Sequence, residues 1–215
     1  MQRQNNKPKN SYNLEIKDIL PLTQNQKRTF DRYNEDKNLL LHGMAGTGKT
    51  FCALYLALNE ILTYKSTKNK IIIVRSAVPT RDVGFLPGSL KEKLKQYETP
   101  YKNICTEIFN RGDAYEILKT KDVVSFMSTS FIRGNTFDDT IVIIDEIQNL
   151  TFHELDSIIT RTGDNTRLIF SGDFIDFIKV IDKMSCFSKI EFEIADVVRS
   201  GLVKEYLIAK HAIFA

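Results

Sequence analysis

The sequence predicts an α/β fold, a doubly wound and mainly parallel sheet with helices on both faces. Three observations predict it. Short runs rich in Ile, Leu and Val recur along the chain, and most are apolar almost throughout instead of alternating with polar residues. Strands buried on both faces of a parallel sheet read that way. Helical patterns lie between these runs, and such alternation implies βαβ units with right-handed crossovers. A glycine-rich stretch, LLLHGMAGTGKT at 39–50, joins the first run to the helical pattern behind it.

Residues 1–12 are polar and basic and are expected to be a flexible tail, with one domain over 13–215. Thr23 is placed to cap a helix over 23–34, in which Phe30 and Tyr33 fall one turn apart. Strands are expected at 38–42, 70–75, 122–127, 140–145, 166–172 and 190–195, and further helices at 49–62, 89–97, 152–160 and 203–213. No internal repeat or low-complexity linker interrupts them. The last helical pattern stops near Ala215, and no second domain of the same size is expected.

A chain of 215 residues, 42% hydrophobic and 27% charged, can bury one core of ordinary domain size. The formal charge is +3 with the basic residues scattered, unlike the concentrated footprint of a dedicated nucleic-acid binder. Cys52, Cys105 and Cys186 are far apart, form no CxxC pair and are expected to be reduced core thiols. His42, His153 and His211 do not cluster into a structural metal site. The start, MQRQNNKPKN, has no apolar core, so neither a secretory signal nor a membrane anchor is expected, and a cytoplasmic location fits.

Gly43-Met44-Ala45-Gly46-Thr47-Gly48-Lys49-Thr50 fits GxxxxGK[ST], the phosphate-binding loop. Its glycines let the chain wrap so that successive N–H groups point inward, and the following helix aims its positive end at the same spot. These eight residues and Phe51 are expected to line a nucleotide, with Lys49 on the β- and γ-phosphates and the Thr50 hydroxyl on Mg²⁺. A second site follows in Ile141-Val142-Ile143-Ile144-Asp145-Glu146. The apolar run delivers Asp145 to the carboxyl end of a strand, where open α/β sheets place ligands. Asp145 would hold Mg²⁺ through water, and Glu146 would orient and deprotonate the attacking water, which points to hydrolysis. An NKxD element for guanine is missing, because Asn69-Lys70 leads into Ile71-Ile72; ATP is the expected nucleotide.

Other segments resemble the PhoH family, phosphate-starvation-inducible ATPases related to superfamily 1 helicases. Val83-Gly84-Phe85-Leu86-Pro87-Gly88, with a lysine-rich helix and Pro100-Tyr101 behind it, is similar to the family's GFLPG stretch. Phe131-Ile132-Arg133-Gly134-Asn135-Thr136-Phe137 resembles MRGRTF, Asp145-Glu146-Ile147-Gln148-Asn149 resembles DEAQN, Thr160-Arg161-Thr162-Gly163 resembles LTRxG, and Asp196-Val197-Val198-Arg199 resembles DVVR. The likeness spans about residues 20–205 and implies a single RecA-like P-loop NTPase domain with ATPase activity on single-stranded RNA or DNA. Two departures stand out. Asn135 replaces a second arginine, and the family's GDxxQxD reads Gly172-Asp173-Phe174-Ile175-Asp176-Phe177-Ile178, with Asp176 in place of the glutamine that would sense the γ-phosphate.

The resemblance assigns further roles. Gln26 reads adenine through its amide or is a solvated helix residue. Asp173 links metal to substrate or caps the next helix. Arg199 steadies charge on the transferring phosphoryl group, reaching it from a neighbouring subunit of a homo-oligomer such as a ring, or makes a surface ion pair. Arg75, Arg81, Arg133, Thr136 and Arg161 are expected to contact nucleic acid, with Lys91, Lys93 and Lys95 extending the track, although Glu92 also suits that helix to a solvated surface. A nucleotide-controlled interaction switch without motor activity is the rival reading, favoured by the altered GDxxQxD element.

Overall fold

The computed structural model describes residues 14–63, 66–76, 90–132 and 134–214, without the side chains of 90–94 and 214. The expected tail, the GFLPG stretch with Arg81, Arg133, and the side chains of Lys91 and Lys93 lie outside the described residues. The α-helices and strands among the described residues follow in order: α1 (Gln24–Asn34), β1 (Asn38–Gly43), α2 (Lys49–Leu62), β2 (Lys70–Arg75), α3 (Leu90–Phe109), α4 (Ala114–Thr120), β3 (Val124–Ser128), β4 (Thr140–Asp145), α5 (Phe152–Ile159), β5 (Arg167–Ser171), α6 (Ile175–Ile181), β6 (Phe187–Phe192) and α7 (Gly201–Phe214).

The strands form one sheet in the order β3-β2-β4-β5-β1-β6, and every pairing is parallel. Successive side chains of a strand point to opposite faces, and here both faces are covered. Leu39, Leu41, Ile71, Ile73, Ile141, Ile143 and Ile169 pack on one side against α2, α3 and α4. Leu40, Ile72, Val74, Val142, Ile144, Leu168 and Phe170 pack on the other against α5 and α6. That two-sided burial is the physical reason why the strands read as unbroken apolar runs. Each such side chain contributes about 1.5–3 kcal/mol by leaving water.

β5 lies between β1 and β4, so the ends of β1 and β4 stand about 9.5 Å apart, two strand spacings. This gap is where the site forms. Helix α1 has its expected cap, with the Thr23 side chain accepting from the Gln26 N–H.

Four expectations need correction. The last strand is Phe187–Phe192, not 190–195, because Glu193 and Asp196 close a capped 3₁₀ turn over Ile194–Asp196. α3 runs on through Pro100 to Phe109. A proline inside a helix costs about 3 kcal/mol, but Tyr101, Cys105, Ile108 and Phe109 are all buried on one helix face and outweigh it. The two-turn helices α4 and α6 were not anticipated. Cys186 is exposed, whereas Cys52 and Cys105 are buried thiols, each pushed up to about 12 by burial.

Candidate nucleotide site

β1 ends at Gly43, whose φ of +95° and close approach to Phe192 exclude any side chain, since a Cβ there would overlap the Phe192 carbonyl. The Met44 N–H donates to that carbonyl at 2.7 Å, which hangs the loop on β6. Gly48, with φ +85°, turns the chain into α2, so the first N–H groups of that helix face the cleft. The cleft has a volume of about 1060 Å³ and includes the loop, Asp145, Glu146, Gln148, Asp173 and Arg199.

Lys49 Nζ donates to the Gly43 carbonyl at 2.8 Å and the Met44 carbonyl at 2.7 Å, within its own loop. Burial lowers its pKa from 10.5, opposed by Asp173, Glu146 and Asp145. Thr50, in the first turn of α2, donates its hydroxyl to Asp145 Oδ1 at 3.0 Å, across the gap between β1 and β4. Mg²⁺ takes oxygen ligands and keeps several waters, held by one or two protein oxygens and the substrate's phosphates. One hydroxyl and one carboxylate side by side fit that ion. Among the described residues, no group of three or more His, Cys, Asp or Glu forms a self-sufficient metal cage.

Glu146 follows Asp145 in the left-handed conformation, φ +54° and ψ +49°. Such backbone is strained for this residue type and is characteristic of functional turns. Its carboxylate accepts from Gln148 Nε2. The Gln148 Oε1 accepts from the Asp173 N–H at 3.4 Å, so one amide braces both acids' segments. Gly172 is required here, because its φ is +125° and a Cβ would overlap the Ile147 backbone nitrogen. Asp173 Oδ1 accepts from the Gly43 N–H at 2.7 Å. It does not cap α6, whose N-cap is Phe174 with no side-chain bond.

Gln26 is buried, not solvated. Its Nε2 donates to the Thr47 carbonyl at 3.0 Å and its Oε1 accepts from the Leu22 N–H at 2.8 Å, bracing the loop against the chain before α1. Phe51 lines the cleft beside it. The Val198 N–H donates to the Gly46 carbonyl at 3.2 Å, and a Cβ on Gly46 would lie 3.0 Å from Arg199 Cγ. Arg199 therefore lies against the loop of its own chain, where the sequence had suggested an arginine reaching in from a neighbouring subunit. Asp196 anchors this segment: it is buried, accepts from Asn25 Nδ2 at 2.7 Å, and is held below the ordinary carboxylate range by bonds from Asn25 and Thr23 in spite of its burial.

Among the described residues, the expected nucleic-acid contacts do not converge. Arg75 ends β2 in the same cleft and stacks on Tyr97 at 5.8 Å. Arg161 and Thr136 lie at the opposite edge, where the Phe137 N–H donates to the Arg161 carbonyl at 2.9 Å ahead of β4 and β5. Lys95 is exposed on α3. Asp176, in the altered element, is exposed and paired with Lys179 at 3.0 Å.

Three residues escaped the sequence reading as site members: Tyr101, which donates to Asp145 Oδ2 at 2.9 Å, Gln148 and Asp196. Each stood inside a quoted motif. Nothing in their spacing named the group they touch.

A glycine loop at the carboxyl end of a parallel strand, with its threonine meeting a carboxylate from the strand two places along, defines a P-loop nucleotide-binding fold. The fold is similar to the large terminase of a thermophilic bacteriophage in complex with ADP, at a TM-score of 0.51 and 13% identity over 86% of this chain and 49% of that one. The HK97 bacteriophage large terminase is similar at a TM-score of 0.58 and 12% identity, over 93% of this chain and 49% of that one.

The chain belongs to the PhoH family, whose profile, described as PhoH-like protein, matches residues 18–210. It is 30% identical to a PhoH-like protein of Mycobacterium leprae over 207 residues, which cover 90% of this chain and 58% of that one. It is 36% identical to Protein PhoH2 of Bacillus subtilis over 140 residues, 62% of this chain and 31% of that one. Protein PhoH of Escherichia coli is 32% identical over 142 residues, 65% and 40% of the two chains. The chain thus spans between about a third and three fifths of the length of these relatives. Among the described residues no helix is long and apolar enough to cross a membrane.

Proposed function

We propose that the chain binds ATP with Mg²⁺ and hydrolyses the γ-phosphate. The observation that carries this reading is the meeting of the Thr50 hydroxyl and Asp145 Oδ1 at 3.0 Å, at the mouth of the loop that holds Lys49. Bound Mg²⁺ neutralises phosphate charge. Lys49 exchanges the carbonyls of Gly43 and Met44 for phosphate oxygens, a stronger, charge-assisted pairing. Glu146, steadied by Gln148, accepts the proton of the attacking water. Arg199, against Gly46, steadies the charge that spreads over the phosphoryl group from within the same chain. Gln26 and Phe51 flank the nucleotide, and Asp173 couples the loop to the strand beside it.

Hydrolysis serves action on single-stranded RNA, a reading that rests on the PhoH membership and on Arg75 within the cleft. A second reading has its own support: the chain is a nucleotide-controlled assembly switch. Asp176 stands in the glutamine position and faces solvent, while α7 exposes Leu202, Tyr206 and Ile213 next to the loop that Leu207 touches. Phosphate release with and without single-stranded RNA separates the two. Stimulation with salt-sensitive RNA binding supports the first; turnover indifferent to RNA, with a solution mass that changes on adding ATP, supports the second.

A further inference from the structure

Helix α3 reaches into the metal side of the cleft through one hydroxyl. Tyr101 is fully buried, its ring 5.9 Å from that of Phe126, and its OH donates to Asp145 Oδ2 at 2.9 Å. Thr50 donates to the other oxygen, Oδ1. Arg75 stacks over Tyr97, one turn earlier on α3, at 5.8 Å. A phenol and a threonine hydroxyl thus hold the two oxygens of one carboxylate.

We propose that Tyr101 is a positioning residue of the metal site: it fixes the Asp145 carboxylate so that Oδ1 stays turned toward Thr50. The physical reason is the pairing rule for buried groups. Asp145 is 3% exposed, and a carboxylate oxygen buried without a donor is costly, so it reorients toward whatever donor remains. With Tyr101 on Oδ2 the two oxygens have different partners and the plane of the carboxylate is set. Partners behind a metal ligand act this way, and losing one typically weakens metal binding about 10- to 100-fold.

The inference rests on the ATP and Mg²⁺ reading above, and the test separates the two. Tyr101→Phe keeps the buried ring and removes only the hydroxyl. Mn²⁺ is the probe, titrated by its paramagnetic resonance signal into the full chain saturated with ADP. The expected result is Mn²⁺ affinity about tenfold weaker than wild type, with ADP affinity in chelator and the Tm of the free chain close to wild type. Equal Mn²⁺ affinity overturns the proposal, as does a loss of ADP affinity and Tm in step with the metal, which a merely structural tyrosine would give. Wild-type chain that binds ADP but takes up no nucleotide-dependent Mn²⁺ overturns the metal reading itself and this inference with it. Should Tyr101→Phe fail to fold, Tyr101→Met fills most of the buried space without a donor and should weaken Mn²⁺ binding about tenfold in the same titration; unchanged binding there overturns the proposal.

Discussion

The two edges of the sheet carry the same backbone conformation for opposite reasons. At the amino edge the left-handed residues are Asp36, Asp122, Asp139 and Asn165, each just ahead of a strand, with φ between 51° and 59°. Asp and Asn visit that region readily because their short side chains bond locally. At the carboxyl edge they are Gly43, Gly46, Gly48 and Gly172, where backbone or side chains approach too closely for a Cβ or the loop must wrap, and Glu146, which has no such excuse. The polar groups differ as well. At the amino edge Arg167 is closed in by Glu60 at 2.8 Å, by Asp36 and by the Tyr33 ring at 4.2 Å, a saturated cluster with nothing to offer a ligand. At the carboxyl edge Thr50 bonds to Asp145, while the Lys49 and Asp173 side chains bond to backbone groups of the loop, all around an open cleft. One edge is built for turning and holding, the other for exchanging partners.

Substitutions at the two edges should therefore part company. The largest effect belongs to Glu146→Gln, which should lower ATP turnover by about a thousandfold while nucleotide affinity and Tm hold, as read by phosphate release and calorimetry. Undiminished turnover would remove the general base. Arg167→Ala at the other edge should cost about 2–3 kcal/mol in denaturant unfolding, because it removes a charge-assisted bond from the half-buried Glu60 carboxylate and leaves Lys68 at 3.5 Å as its remaining cation. Turnover per folded molecule should not move. Asp139→Ala forces an ordinary side chain into the left-handed turn and should cost about 1–2 kcal/mol with turnover again unchanged.

The smallest effect concerns His42, at the end of β1. Burial holds its imidazole below the ordinary 6.5, reinforced by Lys189 and Lys49 and opposed by Glu191 and Asp173. The unfolded chain then binds that proton at higher pH than the folded one, so stability falls as pH drops through about 6.5 and levels off below the native value. His42→Gln should remove this increment, and thermal unfolding between pH 7 and pH 5 reads it. An unchanged acid slope would show that His42 does not carry it.

Much of this contrast was legible in the sequence, for a physical reason. β2 and β4 coincide with their apolar runs at both ends, and β1 runs one residue beyond its own, because two-sided burial leaves no polar residue to blur the boundary. β6 was misplaced because it is an edge strand, with only Ile190 and Phe192 buried, so its half-polar pattern ran on into the following turn. Two-turn helices such as α4 and α6 are too short to display a helical period. Lys49, Thr50, Asp145 and Glu146 were readable from local motifs that need only one strand and one turn. Tyr101 was not, and Arg199 was named only from the resemblance, as reaching in from a neighbouring subunit or making a surface ion pair, because where α3 and the segment after β6 cross the cleft is a property of packing.

The most direct test is calorimetric titration of ATP into the chain with Mg²⁺ present and with it chelated, alongside Lys49→Ala. Saturable binding that tightens with Mg²⁺ and disappears in Lys49→Ala is the expected result. No binding by the wild-type chain, or equal binding by Lys49→Ala, would contradict the claim that the carboxyl edge is a triphosphate cradle.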